Sequence, residues 1–117
     1  MAEVLFMLQN TRIDGIVLRA SGLTTSDATS TVTINEGNAD VTVHLYGTVG
    51  GATVAVLGGL VADQLSVLDD AYGVPMSYTT LGIIKPIGPA VTTIRITVTG
   101  GTGVSVGVDV YIVRKAR

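Results

Sequence analysis

Residues 91 to 113, VTTIRITVTGGTGVSVGVDVYIV, contain two uninterrupted runs in which apolar and polar positions alternate. Ile94, Ile96 and Val98 fall on one side of an extended chain, and Thr93, Arg95, Thr97 and Thr99 on the other. Val104, Val106, Val108, Val110 and Ile112 repeat the pattern against Ser105, Gly107, Asp109 and Tyr111. Successive side chains of a strand point to opposite faces, so a period of two predicts strands with one buried face. The intervening Gly100-Gly101-Thr102-Gly103 turn predicts that the two strands pair as a β-hairpin.

Similar patterns occur earlier in the chain. Val4-Leu5-Phe6-Met7-Leu8 and Ile16-Val17-Leu18 are apolar runs separated by a turn-like Gln9-Asn10-Thr11. Each run suits an edge strand, and the first also suits an arm that adds a strand to a neighbouring subunit. Residues 20–30, ASGLTTSDATS, are small and polar without an apolar period and read as a loop. Thr31 to Ile34 and Val41 to Tyr46 alternate around the turn Asn35 to Asp40, a second hairpin candidate. Gly47 to Gly51 reads as a turn, Thr53 to Leu57 as a strand and Gly58-Gly59 as a break or bulge. Leu60 to Ala71 suits a helix or a strand, and the flanking glycines favour strand. Tyr72 to Pro75 is a turn and Met76 to Leu81 a strand, and the prolines in Ile83 to Pro89 place that piece at an edge or a crossing. About eight short strands with Gly-rich turns predict an all-β fold, an antiparallel β-sandwich, jelly roll or small barrel. The domain division expected is an N-terminal strand or arm over 1–12 and one β-sandwich domain over 13–117.

Composition sharpens this picture. Apolar residues are 47% of 117 and aromatics only 4%, so the core must be built from Val, Ile and Leu, which suit pleated surfaces. Charged residues are 14% and mean hydropathy is +0.56, so part of the surface is expected to be covered by other subunits or a larger assembly. The net charge of −2 argues against a domain that binds by neutralising phosphates. The basic tail Arg114, Lys115 and Arg117 reads as a solvated end or a contact with an acidic neighbour. Zero cysteines exclude disulfides, thiol catalysis and thiolate metal sites. Met1-Ala2-Glu3 lacks the basic start of a signal peptide, and every apolar run falls short of the ~18 residues a membrane helix needs. A soluble chain made in a cytoplasm is the expectation, with no nucleic acid or membrane partner.

Candidate chemistry is sparse. Gly103-Val104-Ser105-Val106-Gly107 matches the G-x-S-x-G pattern of a hydrolase nucleophile, but Ser105 lies inside a strand, and the single histidine, His44, precedes it. His44 shares a strand face with Thr42 and Tyr46 and cannot build a metal cluster alone, although an imidazole at an interface would respond to pH. Asp63, Asp69 and Asp70 form the densest acidic group; they match no calcium loop and read as a solvated turn. Gly100 to Gly103 lacks the lysine and following helix of a phosphate loop. Tyr46, Tyr72, Tyr78 and Tyr111 are possible contact anchors, and Tyr72 and Tyr78, bracketing Pro75, are the favoured pair. No catalytic, cofactor-binding or metal site is expected.

The stretch from Ala39 to Val113 resembles small bacteriophage virion proteins of β-sandwich type. The likeness lies in a strand such as Asp40 to Tyr46, a Gly-rich hairpin, the Pro/Gly piece Ile87-Gly88-Pro89, and Ile94-Arg95-Ile96-Thr97-Val98 followed by Thr99-Gly100-Gly101-Thr102-Gly103 and a closing valine strand. Many such modules carry an Asp-Gly turn and a Trp after the first hairpin, where this chain has Gly58-Gly59-Leu60. The resemblance implies a non-enzymatic virion protein without cofactor, either a capsid decoration (cement) protein on the head surface or an accessory module of a tail or fibre. Its implied partners are the major capsid protein and copies of itself, with threefold assembly as one form, put together in the host cytoplasm. Val4, Leu5, Phe6, Met7 and Leu8, with Tyr72 and Tyr78, would make the partner contacts. A host-surface or glycan-binding module of a tail or fibre is the alternative, using a concavity near Asp69 to Tyr78.

Overall fold

The computed structural model describes residues 3–11, 15–34, 39–61, 63–88 and 91–114. The strands are β1 (Glu3–Val4), β2 (Met7–Thr11), β3 (Gly15–Leu23), β4 (Ala28–Thr29), β5 (Val32–Thr33), β6 (Ala39–Thr48), β7 (Thr53–Gly59), β8 (Ser66–Val67), β9 (Ser77–Tyr78), β10 (Ile83–Pro86), β11 (Thr93–Thr99) and β12 (Ser105–Arg114). Sheet I has the order β1-β4-β11-β7-β8, with β5 also on β11 and β9 also on β7; sheet II has the order β10-β6-β12-β3-β2. All pairings are antiparallel except that of β1 with β4. The expected all-β sandwich is the observed architecture, and no helix occurs among the described residues.

The inward positions are those the alternation marks. Ile94, Ile96 and Val98 on β11 and Val54 and Val56 on β7 meet Val106, Val108 and Val110 on β12 and Val43 and Leu45 on β6, all at 1% exposure or less. Each such side chain contributes about 1.5–3 kcal/mol on leaving water. Met76, Leu68 and Leu23 close the ends of this layer.

The pairing differs from the expectation. β11 and β12 do not form a hairpin: β11 pairs with β7 in sheet I, and β12 lies between β6 and β3 in sheet II. The turn at 100–103, with positive φ at Gly100, Gly101 and Gly103, carries the chain across the core. The second hairpin candidate fails in the same way, because β5 belongs to sheet I and β6 to sheet II; its turn at 35–38 lies outside the described residues. Alternation reports which face of a strand is buried, and two strands that face each other across a core carry the same alternation as two that lie side by side.

Five local readings are also corrected. Residues 20–23 continue β3, with Ala20 and Leu23 buried, so the loop shrinks to 24–27. Gln9 to Thr11 belong to β2 rather than to a turn. Gly58 and Gly59 stay in register with Ile94 and Thr93; a Cβ at Gly58 would collide with the Leu68 side chain, so this glycine makes room for a core residue rather than breaking the strand. Among the described residues of 60–71 only Ser66–Val67 is a strand, and of 76–81 only Ser77–Tyr78. The proline-bearing piece Ile83–Pro86 is an edge strand, as its composition predicts.

Candidate functional site

The outer face of sheet II carries the densest polar arrangement. Ile84, His44, Asp109, Arg19 and Met7 are cross-strand neighbours in a single row across all five strands. At its centre Arg19 donates from Nε and Nη2 to the two Asp109 carboxylate oxygens at 2.8 and 3.0 Å, and the Tyr46 hydroxyl donates to Asp109 at 3.0 Å. Tyr46 lies over Gly107, where a Cβ would collide with its ring, so the missing side chain lets the ring settle onto the sheet. The His44 ring is 5.0 Å from that of Tyr46, and the Arg19 guanidinium is 6.0 Å from the Tyr46 centroid.

Hydrogen bonds from Arg19 hold the Asp109 carboxyl below its usual range; burial opposes this, and Tyr46 reinforces it. Burial pushes the Tyr46 phenol up, helped by its bond to Asp109. A carboxyl with a lower pKa folded than unfolded contributes stability above the unfolded value, and this is lost as pH falls through the folded value. Acid unfolding monitored between about pH 5 and pH 2 is therefore expected to show a smaller loss for Asp109→Asn than for the unaltered protein. Equal losses would show that the pair contributes nothing.

The arrangement ties β3, β6 and β12 together across the sheet. Ser105 is exposed at the start of β12, which runs on as a strand without the sharp turn of a nucleophile elbow, and His44 is registered with Asp109, four positions further along that strand. Among the described residues no three His, Asp or Glu side chains converge on a common point. Asp63 and Asp69 are exposed, but Asp70 is not the solvated turn residue its neighbours suggest: it is 3% exposed, and its carboxylate accepts the backbone N–H groups of Tyr72 and Val74 at 2.8 and 3.1 Å. It ties the loop 69–75 shut. An open depression of about 510 Å³ beside it is lined by Val67, Leu68, Asp69, Asp70, Ala71, Gly73 and Gly88.

The expected contact residues fall at two lateral edges. Glu3 to Thr11 cross from sheet I to sheet II along one side: Glu3 accepts from Arg95 at 2.7 Å, the Val4 carbonyl accepts from the Ser30 amide, Phe6 N–H donates to Ser30 Oγ, and β2 then pairs with β3. Val4 and Phe6 pack on the core, whereas Leu5, Met7 and Leu8 are 65%, 66% and 58% exposed. On the other side the loop 69–75 leans on β10, with Ala71 N–H donating to the Pro86 carbonyl and Asp70 bridged to Ile87. Tyr72, in this loop, is 80% exposed. Tyr78 is instead half-buried against the core, and its hydroxyl is buried without a hydrogen-bond partner among the described residues. Leu60, Val61, Val67 and Val74 are further exposed apolar residues in this part of the chain. Lys115 and Arg117 lie outside the described residues.

No protein-family model matches the chain, and no curated protein matches its sequence. Solved structures share its fold. The SPBc2 prophage-derived protein YomS superposes with a TM-score of 0.67 at 12% identity, over 90% of this chain and 99% of that one. The PBSX exported protein XepA gives 0.64 at 14% identity over 89% of this chain, which spans only 39% of XepA. The cupin domain of Cnp3 from Schizosaccharomyces pombe gives 0.53 at 7% identity, over 94% of this chain and 60% of that one. At such identities the likeness establishes a common β-sandwich fold.

Proposed function

We propose that this chain is a non-enzymatic structural protein of a bacteriophage particle, a capsid decoration (cement) protein that binds the head shell and stabilises it. The observation that carries the reading is the match with a prophage-derived protein over 90% of this chain and 99% of the other, so that the shared fold spans nearly the whole of both. The surface chemistry supports it. Exposed apolar side chains occur at Leu5, Met7 and Leu8 and, along the chain between residues 60 and 84, at Leu60, Val61, Val67, Tyr72, Val74 and Ile84, as suits a module covered by partners. The polar face of sheet II is internally paired through Arg19, Asp109 and Tyr46 and offers no nucleophile with a base.

In this reading the partners are the major capsid protein and further copies of the chain, and the site of action is the capsid surface, after assembly in the host cytoplasm. The work is mechanical: a stiff sandwich gripped at both edges clamps neighbouring capsomers against the pressure of packaged DNA. Heads assembled without the chain are expected to release DNA at a lower temperature, and adding back the purified chain restores the original value. Heads of equal stability that fail to bind the added chain would overturn the proposal.

A further inference from the structure

The edge of sheet I at β4 reads the N-terminal segment group by group. Arg95 is held in place by its Nε, which donates to the Thr29 carbonyl at 2.9 Å, and its Nη2 donates to the Glu3 carboxylate at 2.7 Å. The Ser30 amide donates to the Val4 carbonyl at 2.8 Å, and Ser30 Oγ accepts from the Phe6 amide at 3.0 Å. Val4 and Phe6 pack on the core, and Glu3 and Val4 are registered with Ala28 and Thr29. One acidic side chain, two apolar side chains at alternate positions and the backbone between them each meet a separate group, which is how a sheet edge recognises an added strand.

This docking is thin. β1 has two residues, and the side chains of the Arg95 and Glu3 pair are 31% and 51% exposed, a setting in which an ion pair contributes little. A terminal segment held in this way opens at small cost in free energy. Beside the anchors Val4 and Phe6, the residues Leu5, Met7 and Leu8 stay exposed.

We infer that the β4 edge takes residues 3–6 of a second copy, so that two chains exchange their N-terminal segments reciprocally. The occupant is the segment the edge already holds, selected by the charge match of Glu3 with Arg95 and by the seats of Val4 and Phe6. Exchange therefore keeps the contacts of the closed chain. It also buries more. Each segment leaves its own β2 and reaches the β4 of the other copy, so the two linking runs pass each other, and Leu5, Met7 and Leu8 lie in those runs. These are the apolar side chains that the closed chain leaves in water. The tether favours the closed form in dilute solution, and exchange grows with concentration. The inference rests on the docked segment and not on the virion reading, and a reciprocal pair differs from the threefold assembly that the resemblance implies.

Two full-length chains of complementary charge test it. Glu3→Arg sets like charges against each other within one chain, and so does Arg95→Glu; only exchange between the two restores opposite charges at both sites. Sedimentation equilibrium of the equimolar mixture is expected to show a mixed pair of two 12.0 kDa chains, favoured about tenfold over the pairs formed by either variant alone. The chain carrying both substitutions regains the charge match internally and is expected to behave as the unaltered protein, which shows that neither substitution prevents folding. A second measurement follows the contact itself. In Arg95→Lys a carbodiimide condenses the Glu3 carboxylate with the new amine at position 95. With light and heavy-nitrogen chains mixed one to one, crosslinked peptides joining a light to a heavy chain are expected, in a share that rises with concentration. Crosslinks confined to single chains at every concentration, a charge-variant mixture that stays monomeric, or pairing equally strong in each charge variant alone would overturn the inference.

Discussion

Gly47→Ala is expected to lower the free energy of unfolding by about 3 kcal/mol, through backbone strain and a steric clash acting together. Gly47 sits at φ 108° near the end of β6, opposite Val106. A Cβ there would run into the Ser105 carbonyl oxygen on β12, which is backbone and cannot swing aside. The contact exists because β6 and β12 are neighbours in sheet II just before each joins a turn to sheet I. Gly82→Ala separates the two causes: φ there is 83°, with nothing within 4 Å of an added Cβ. It is expected to cost about 1 kcal/mol, from the backbone conformation alone. Denaturant unfolding of both variants measures the difference, and equal losses would contradict the close approach of β6 and β12.

Thr29→Val is the second large effect, with an expected loss of about 2 kcal/mol. Thr29 is fully buried at the junction of β4 and β11; its hydroxyl accepts the Ile96 backbone N–H at 3.0 Å and donates to the Ser30 carbonyl at 2.9 Å. Only Thr97 and Ala28 are registered between these strands, so the side chain supplies a bond that the short β4 cannot. Valine keeps the volume and strands a buried donor, which costs more than a satisfied hydrogen bond contributes. Thr29→Ser retains the hydroxyl and is expected to lose less than half as much in the same denaturant experiment. A valine variant as stable as the serine one would show that Ile96 N–H finds another acceptor.

Much of the fold is legible in the chain for one physical reason: a strand with one buried face must alternate. Ile94, Ile96 and Val98, like Val106, Val108 and Val110, are inward for that reason, and the prolines of the 83–89 piece leave Ile83–Pro86 at an edge because proline lacks a donor. Partner choice is not legible, since alternation has no memory of which sheet a strand joins. Hence β11 and β12 read as a hairpin while they face each other across the core. Residues 20–23 hide their strand because only Ala20 and Leu23 are buried there, at a spacing of three, where the register with β12 shifts between Val106 and Val108.

The candidate contact edges were partly readable and the polar ladder was not. The run Val4 to Leu8 stands out as apolar, but its division into inward Val4 and Phe6 and outward Leu5, Met7 and Leu8 depends on the crossing between sheets. Tyr72 and Tyr78 look equivalent around Pro75, yet one is exposed and the other packs on the core. Arg19 and Asp109 are ninety residues apart in sequence and meet only because β3 and β12 are neighbours. Asp70 gave the clearest available hint, an Asp two residues before a Gly-containing turn, which is the spacing at which a carboxylate caps backbone N–H groups.

The central claim, that this chain is a decoration protein of a phage head, is tested most directly by its copy number in purified particles. Quantitative mass spectrometry against the major capsid subunit is expected to find it in numbers comparable to the capsomers, on the scale of hundreds per particle. A few copies to a few tens per particle would place it on the tail or fibre instead, and its absence from the particle would contradict the account.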